Sequence, residues 1–424
     1  MDRLIALEIL LKYKQEKSYL NLTINSYFQK YELSRSQKDF ITRVVYGTVQ
    51  NQIYLEYVLK PHLKTRVKSY EKMLLLMSLY QHLMMDAIPD YAIINEAVNL
   101  AKKKKGIRTS QFINAVLKQA FLTEPSLEEL SKEERLSIET SHPLWMVKML
   151  CKQYGYSTTQ KICQANNEPP LKCARVNTLL TSKDELLKDE LWQKGKLAKD
   201  ALYYQGGNIA YTKEFQEGLV TIQDESSQLV APYLSPQPGD YVLDMCAAPG
   251  GKSKYILSKL NDTGLLVSNE INPTRIRALG ENLERFGARN CIITNTDSNN
   301  LRKLFTGYFD KVVIDAPCSG QGMFRKDEVA IEDWSYAKVL ECQSIQKDII
   351  RDGYDMLKNG GILVYSTCTF AKEENEDVIN EFISEYENAK LIEMQRIWPH
   401  KVSGEGHFVA KIQKLENEDC NVKY

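Results

Sequence analysis

Apolar positions recur at helical spacing through residues 1–122. Ser34 with Gln37 forms a capping box ahead of a run carrying Phe40, Ile41, Val44, Val45 and Val49. Ser69 precedes YEKMLLLMSLYQHLMM, which is apolar nearly all the way round and so predicts the central helix of a bundle. Pro89 opens a helix with Ile93, Ile94, Ala97, Val98 and Ala101 inward, ending in Lys102–Lys105 and Gly106. Thr109 caps a last helix with Phe112, Val116 and Leu117. No catalytic cluster falls in this stretch. The lysine run suits a phosphate contact or a helix C-terminus equally well.

Residues 123–150 are charged and then helical, over Glu128–Leu136 and, after Pro143, Leu144–Tyr154. His142, just before Pro143, reads as a turn residue. Residues 155–235 mix short strands and helices, with turns at Asn166–Pro170 and Gly206–Gly207 and a strand over Cys173–Leu180. They predict a small α/β module. From Gly239 the rhythm becomes β–α. Strands are predicted at Tyr241–Ala247, Gly264–Ile271, Asn290–Thr296, Asp310–Cys318 and Gly360–Cys368, with a final strand at His407–Gln413. Helices are predicted at Ser253–Leu260, Pro273–Phe286, Glu341–Leu357 and Glu373–Glu385. Repeated βαβ units imply a parallel sheet covered by helices, with ligands beyond the carboxyl ends of the strands.

A chain of 424 residues, 43% of them hydrophobic, has room for two or three cored domains. The formal charge is zero, but residues 1–122 hold 19 Lys+Arg against 10 Asp+Glu, a surplus of nine that the remainder offsets. A basic front half points to an anionic partner, although solvated helix faces give similar counts. Nine scattered cysteines with no CxxC pair predict a reducing, cytoplasmic setting with neither a disulfide framework nor a metal site. MDRLIALEILLKYK lacks the features of a secretory signal, and no run approaches the ~18 apolar residues of a membrane span.

The candidate chemistry sits at the predicted strand ends. YVLDMCAAPGGK (Tyr241–Lys252) runs from a buried strand through a glycine turn into a helix. Gly250 and Gly251 allow close backbone approach, and the helix start offers free N–H groups. The pattern is not GxGxxG, which argues against NAD. Asp244 lies next to the turn, Glu270 is placed to meet ribose hydroxyls, and Asp297 to accept from an adenine amino group. The fourth and fifth strands end in Cys318 and Cys368, so two thiols would face one crevice. Two thiols beside a nucleoside-cofactor site suit a pyrimidine substrate. A thiolate added to carbon 6 of cytosine makes carbon 5 nucleophilic enough to take a methyl group, and loss of the carbon-5 proton then frees the thiolate. A nearby cation such as Lys252 would favour the thiolate. Either cysteine satisfies this chemistry.

CAAPGGK, DAPCSG and STCT, in that order and spacing, resemble the ribosomal RNA cytosine-C5 methyltransferases of the NOL1/NOP2/Sun family over roughly residues 220–415. Upstream, VVYGTVQ, IINEAV and FINAVLK are similar to a NusB-like RNA-binding domain. SHPLWMVK, RVNTL and IQDESSQLVAPYL match the connecting segment of the bacterial Sun/Fmu branch. The resemblance implies an all-α NusB-like domain (1–125), a small α/β connecting module (126–235), a Rossmann-like S-adenosylmethionine-dependent methyltransferase domain (236–415) and a tail (416–424). It implies Cys368 as nucleophile and Cys318 as the residue assisting release, with Lys252 and Asp315 beside them in the catalytic set. It implies S-adenosyl-L-methionine held by Cys246, Ala247, Ala248, Pro249, Gly250, Gly251, Lys252, Glu270, Asp297 and Asp315. The implied partner is 16S ribosomal RNA, naked or early in assembly, and the implied state is a monomer. QGMFRKDE and WPHKVSGEGHFVAKI are worded more like another branch, which acts at a different small-subunit cytosine, lacks the NusB-like domain and carries a C-terminal RNA-binding extension. Leu415–Tyr424 are too short for one, so the domain arrangement sets the expectation. The same chemistry at that other site or on tRNA, and a non-catalytic RNA-binding assembly factor, are the alternatives. Intact cysteines and cofactor turn speak against the last.

Overall fold

The computed structural model describes residues 1–16, 20–169, 171–324, 334–402 and 404–416. Pro170 of the predicted turn, the RKDE of QGMFRKDE, Ser403 and residues 417–424 of the tail lie outside them. The chain divides into two compact units, the first holding Met1–Asn167 and the second beginning at Glu168. Compactness thus parts the chain later than residue 125, because Lys132–Glu139, Leu144–Tyr154 and Tyr156–Asn167 are helices that belong with the first unit.

In that unit the Ser34–Gln37 capping box forms as predicted, the Gln37 N–H donating to Ser34 Oγ and the Ser34 N–H to Gln37 Oε1. Helix Ser69–Met84 buries Met73, Leu74, Leu75, Leu76, Met77 and Leu79, which makes it the bundle's central member. Thr109 caps nothing. Helix Ile107–Ala120 starts earlier, from Gly106, whose φ of 93° lets one glycine end a helix and begin the next. Farther on, Ser131 and Glu134 form a second capping box, so the predicted helix at Glu128 begins only at Lys132.

The second unit holds two sheets. Strands β1 (Cys173–Val176), β2 (Trp192–Lys194), β3 (Ala201–Tyr204) and β4 (Val220–Ile222) form an antiparallel sheet in the order β2-β3-β1-β4. Strands β5 (Tyr241–Asp244), β6 (Leu265–Asn269), β7 (Cys291–Thr294), β8 (Phe309–Asp315), β9 (Leu357–Thr367), β10 (Ala389–Ile397) and β11 (His407–Lys414) form a sheet in the order β10-β11-β9-β8-β5-β6-β7. β5 through β9 pair in parallel. The expectation of a wholly parallel sheet is corrected at one edge, where β11 runs antiparallel between β9 and β10. β10 was not foreseen because its charged, half-exposed positions carry no continuous apolar run.

The parallel strands stop short of their predicted ends. β5 ends at Asp244 rather than Ala247, and β8 at Asp315 rather than Cys318. The polar residues at issue therefore sit in loops past the ladder, free to turn inward. Helix Glu376–Glu385 likewise starts three residues after the predicted Glu373, which leaves Glu373–Asn375 as loop. Helix Ser298–Phe305 was missed altogether.

Candidate active site

Three donors hold the loop after β5 open from behind. Arg275 Nη2 donates to Ala248 O at 2.7 Å, Asn282 Nδ2 to Pro249 O at 2.9 Å, and Arg175 Nη1 to Gly251 O at 2.8 Å. Gly250 has φ 101°, a left-handed backbone, and a Cβ there would lie 3.1 Å from Leu279 Cδ1. The loop then feeds helix Gly251–Leu260, whose first N–H groups are the free end of a dipole. Beneath it, buried Asp244 accepts from Ser253 Oγ at 2.6 Å through Oδ2, while its buried Oδ1 meets no partner among the described residues. Burial pushes the Asp244 carboxyl up to about 7, against the Ser253 hydrogen bond and the charge of Lys252.

Glu270, just past β6, is buried. Its Oε1 accepts from the Asn272 N–H at 2.9 Å, and Oε2 lies 3.6 Å from Arg275 Nη1. The carboxylate is thereby aimed rather than free. Asp297 caps helix Ser298–Phe305, accepting from the Asn300 N–H at 2.9 Å and from Asn300 Nδ2 at 2.7 Å. The Asn300 N–H holds this carboxyl below its ordinary range. Its geometry serves the helix as well as a ligand. Cys246 is half-buried, and burial followed by the charge of Asp244 pushes its thiol far up. It therefore stays an uncharged wall of the loop.

At the ends of β8 and β9 two groups meet. Lys252 Nζ lies 2.5 Å from Asp315 Oδ2, and Asp315 Oδ1 accepts from Ser366 Oγ at 2.8 Å. Burial disfavours ionised Asp315, but Lys252, joined by His407 and the Ser366 hydrogen bond, holds the carboxyl below its usual range. Beyond them, the Sγ atoms of Cys318 and Cys368 are 3.2 Å apart, both thiols free and half-buried. The Cys318 thiol is raised by its hydrogen bond with Cys368, by burial and by the charges of Cys368 and Glu374. The Lys252 ammonium is paired with Asp315, and Cys318 is held as a thiol.

The loops thus bring together Lys252, Asp315, Cys318 and Cys368, while Cys246–Gly251, Glu270 and Asp297 line the ends of β5, β6 and β7. Sequence reasoning missed two groups. His407 Nδ1 is 3.1 Å from Ser226 Oγ, which donates to Asp224 Oδ1 at 2.5 Å. Burial lowers this imidazole, and Lys252 and Asp315 are among the charges acting on it. The second is Glu374, buried against Ser319. Neither belongs to a spacing with a chemical meaning of its own; only the folded register places His407 one position beyond the Phe408–Thr367 pair.

Residues 231–413 match the family described as 16S rRNA methyltransferase RsmB/F, residues 1–121 the NusB family, and residues 142–207 the ferredoxin-like domain of RsmF/B-like methyltransferases. The probable ribosomal RNA small subunit methyltransferase B of Bacillus subtilis (strain 168) is 37% identical over 442 residues, covering 97% of this chain and 98% of its own. The 26S rRNA (cytosine-C(5))-methyltransferase nsun-1 of Caenorhabditis elegans is 32% identical over 321 residues, covering 64% of this chain and 48% of its own. The crystal structure of PH0851 superposes with a TM-score of 0.81 at 22% identity, covering 98% of this chain and 99% of that one, a likeness of fold along the whole chain.

Proposed function

Because the chain belongs to the RsmB/RsmF family of small-subunit ribosomal RNA methyltransferases, we propose that it methylates carbon 5 of a cytosine in 16S ribosomal RNA through a covalent bond from Cys368. The observation that carries the reading is the 3.2 Å approach of Cys318 and Cys368. The proposed domain division is 1–125, 126–235 and 236–415, with a tail at 416–424.

S-adenosyl-L-methionine would supply an electrophilic methyl group. The residues present fit it. The loop Cys246–Gly251 turns at a positive-φ glycine, the neighbouring Asp244 Oδ1 has no partner among the described residues, and Glu270 lies where ribose hydroxyls are bound in such sheets. Lys252, Asp297 and Asp315 complete the proposed set. The thiolate is the reactive form of Cys368, and Cys318 Sγ lies 3.2 Å away, close enough for a hydrogen bond between the two sulfurs. That thiolate adds to carbon 6, the ring becomes enamine-like, and carbon 5 can accept the methyl group. A base, for which solvent water suffices, then takes the carbon-5 proton; the C5–H electron pair re-forms the 5,6 double bond and the C6–S pair leaves with the Cys368 thiolate. The Cys318 S–H is placed to stabilise that leaving group, which is the assistance to release expected of it. Lys252 and Asp315, locked together, present a fixed cation and carboxylate beside the reacting base.

Basic groups interleave with aromatic rings on the first unit. Lys30 Nζ lies 6.0 Å from the Tyr27 ring centre and 5.3 Å from that of Tyr31, and Lys38 Nζ lies 5.8 Å from that of Phe28. This supports RNA as the partner of the basic front half. The test is to incubate the protein and labelled S-adenosylmethionine with naked 16S rRNA, 30S subunits and tRNA, and to map 5-methylcytosine. Label at a 16S cytosine is expected. Label confined to tRNA, or none at all, would overturn the reading.

A further inference from the structure

Glu374 sits in the loop between β9 and helix Glu376–Glu385, fully buried, and has no part in the reaction as described. Its Oε1 accepts from the Ser319 N–H at 2.8 Å and from Gln346 Nε2 at 3.1 Å. Its Oε2 accepts from Ser319 Oγ at 2.5 Å and lies 3.4 Å from Thr369 Oγ1. Ser319 directly follows Cys318 and Thr369 directly follows Cys368, and the two hydroxyls are themselves 2.9 Å apart. One carboxylate therefore grips both cysteine loops.

The residues on the other side of each cysteine are tied to the same framework. Gln346 Nε2 also donates to Pro317 O at 2.8 Å, in front of Cys318. Asn375, next to Glu374, donates through Nδ2 to Thr369 O at 3.0 Å and accepts through Oδ1 from Thr367 Oγ1 at 2.5 Å, in front of Cys368. The Tyr365 hydroxyl donates to Glu374 O at 2.8 Å, anchoring the framework to β9. A buried carboxylate is unfavourable unless its lone pairs are filled. Here the donors that fill them are the loops that carry the thiols. The charge has a second effect, since it helps keep Cys318 as an S–H, the form that can donate to Cys368.

We propose that Glu374 is the positioning residue of the thiol pair, its single carboxylate tying the two cysteine loops together and so setting the separation of Cys318 and Cys368. This rests on the reading that those thiols carry out the methylation. The test compares the full-length protein with Glu374→Ala and Glu374→Gln in two measurements. The first is methyl transfer resolved into kcat, KM for RNA and cofactor affinity. The second, without RNA or cofactor, is capture of a trivalent arylarsenical, which closes across two adjacent thiols and protects Cys318 and Cys368 from alkylation. Glu374→Ala is expected to lose kcat on the order of 100-fold, as misplaced reacting groups do, and to lose arsenical capture. Its KM and cofactor affinity should stay within about threefold. Glu374→Gln keeps an acceptor for the Ser319 N–H and is expected to restore capture and to bring kcat within about tenfold of the parent. Wild-type capture and kcat in Glu374→Ala would overturn the proposal, as would loss of cofactor affinity in step with kcat. If Glu374→Ala does not fold, Glu374→Gln decides: a kcat equal to the parent's overturns the proposal, and a kcat lowered by up to about tenfold, with capture retained and cofactor affinity unchanged, supports it. Capture needs no catalysis, so a parent that captures the arsenical but methylates no RNA defeats the assigned reaction while leaving the positioning intact.

Discussion

Lys252 Nζ lies 2.5 Å from Asp315 Oδ2, joining the helix after β5 to the end of β8. Burial acts on Asp315 in the direction of protonation, and Lys252 is the largest influence opposing it. Lys252→Met removes that influence and leaves burial to raise the carboxyl. Methyl transfer should fall, and the acid limb of its pH profile should move to higher pH than in the parent. An acid limb in the same place would show that ionised Asp315 is not required.

The two thiols should fail differently. Cys368→Ala lacks the nucleophile, so neither methyl transfer nor an RNA adduct is expected. Cys318→Ala retains it but leaves the departing thiolate without its S–H donor, so protein should accumulate on RNA as an adduct. That adduct would survive denaturing electrophoresis and disappear on nuclease digestion. An adduct trapped by Cys368→Ala would reverse the two roles, and full activity in both variants would end thiol catalysis as an explanation.

Gly250→Val places a β-branched residue at φ 101° and a Cβ 3.1 Å from Leu279 Cδ1. The loop must move to accept it. Calorimetry should show S-adenosylmethionine affinity lost while far-ultraviolet circular dichroism stays that of the parent. Unchanged affinity would place the cofactor elsewhere.

His142 makes the first unit sensitive to acid. Its Nδ1–H donates to Thr140 O at 2.8 Å, and its Nε2 accepts from Asn166 Nδ2 at 3.2 Å, so a second proton has no acceptor. Burial lowers the imidazole from 6.5 to about 4. Above pH 6.5 neither folded nor unfolded His142 is charged, and its contribution is intact. As pH falls from 6.5 towards 4 the unfolded chain alone takes up a proton, and stability drops by up to about 3 kcal/mol. Denaturant titrations at pH 7 and pH 5 should show the loss in the parent and a smaller one in His142→Asn. Equal losses would assign the acid sensitivity to other groups.

The glycine turn, the two cysteines and the parallel strands were legible because each is a local pattern: an apolar run, then small or reactive residues at a fixed offset. The central helix Ser69–Met84 was legible for the same reason. β10 was not, since an edge strand paired on one side needs no continuous apolar run, and its partner β11 fixes it by pairing that no single window contains. His142 does lie in the turn between helices Lys132–Glu139 and Leu144–Tyr154, as read, but its burial was not legible because it depends on Asn166, farther along the chain. Glu374 looked like one more acid opening a helix. Only the fold shows that Ser319, more than fifty residues earlier, supplies its donors.

The sheet order has a last consequence. From β5 the chain moves outward to β6 and β7, then crosses back to lay β8 and β9 on the other side of β5. On the proposed reading, the residues for the methyl donor follow β5, β6 and β7, apart from Asp315 at the end of β8, and the cysteines that meet the acceptor follow β8 and β9. Donor and acceptor thus draw on largely separate stretches of chain, with the Lys252–Asp315 pair bridging them. Sequence drift after β8 and β9 can then change which RNA is accepted without retuning the affinity for the methyl donor. That independence would let one ancestral donor half serve many different acceptors.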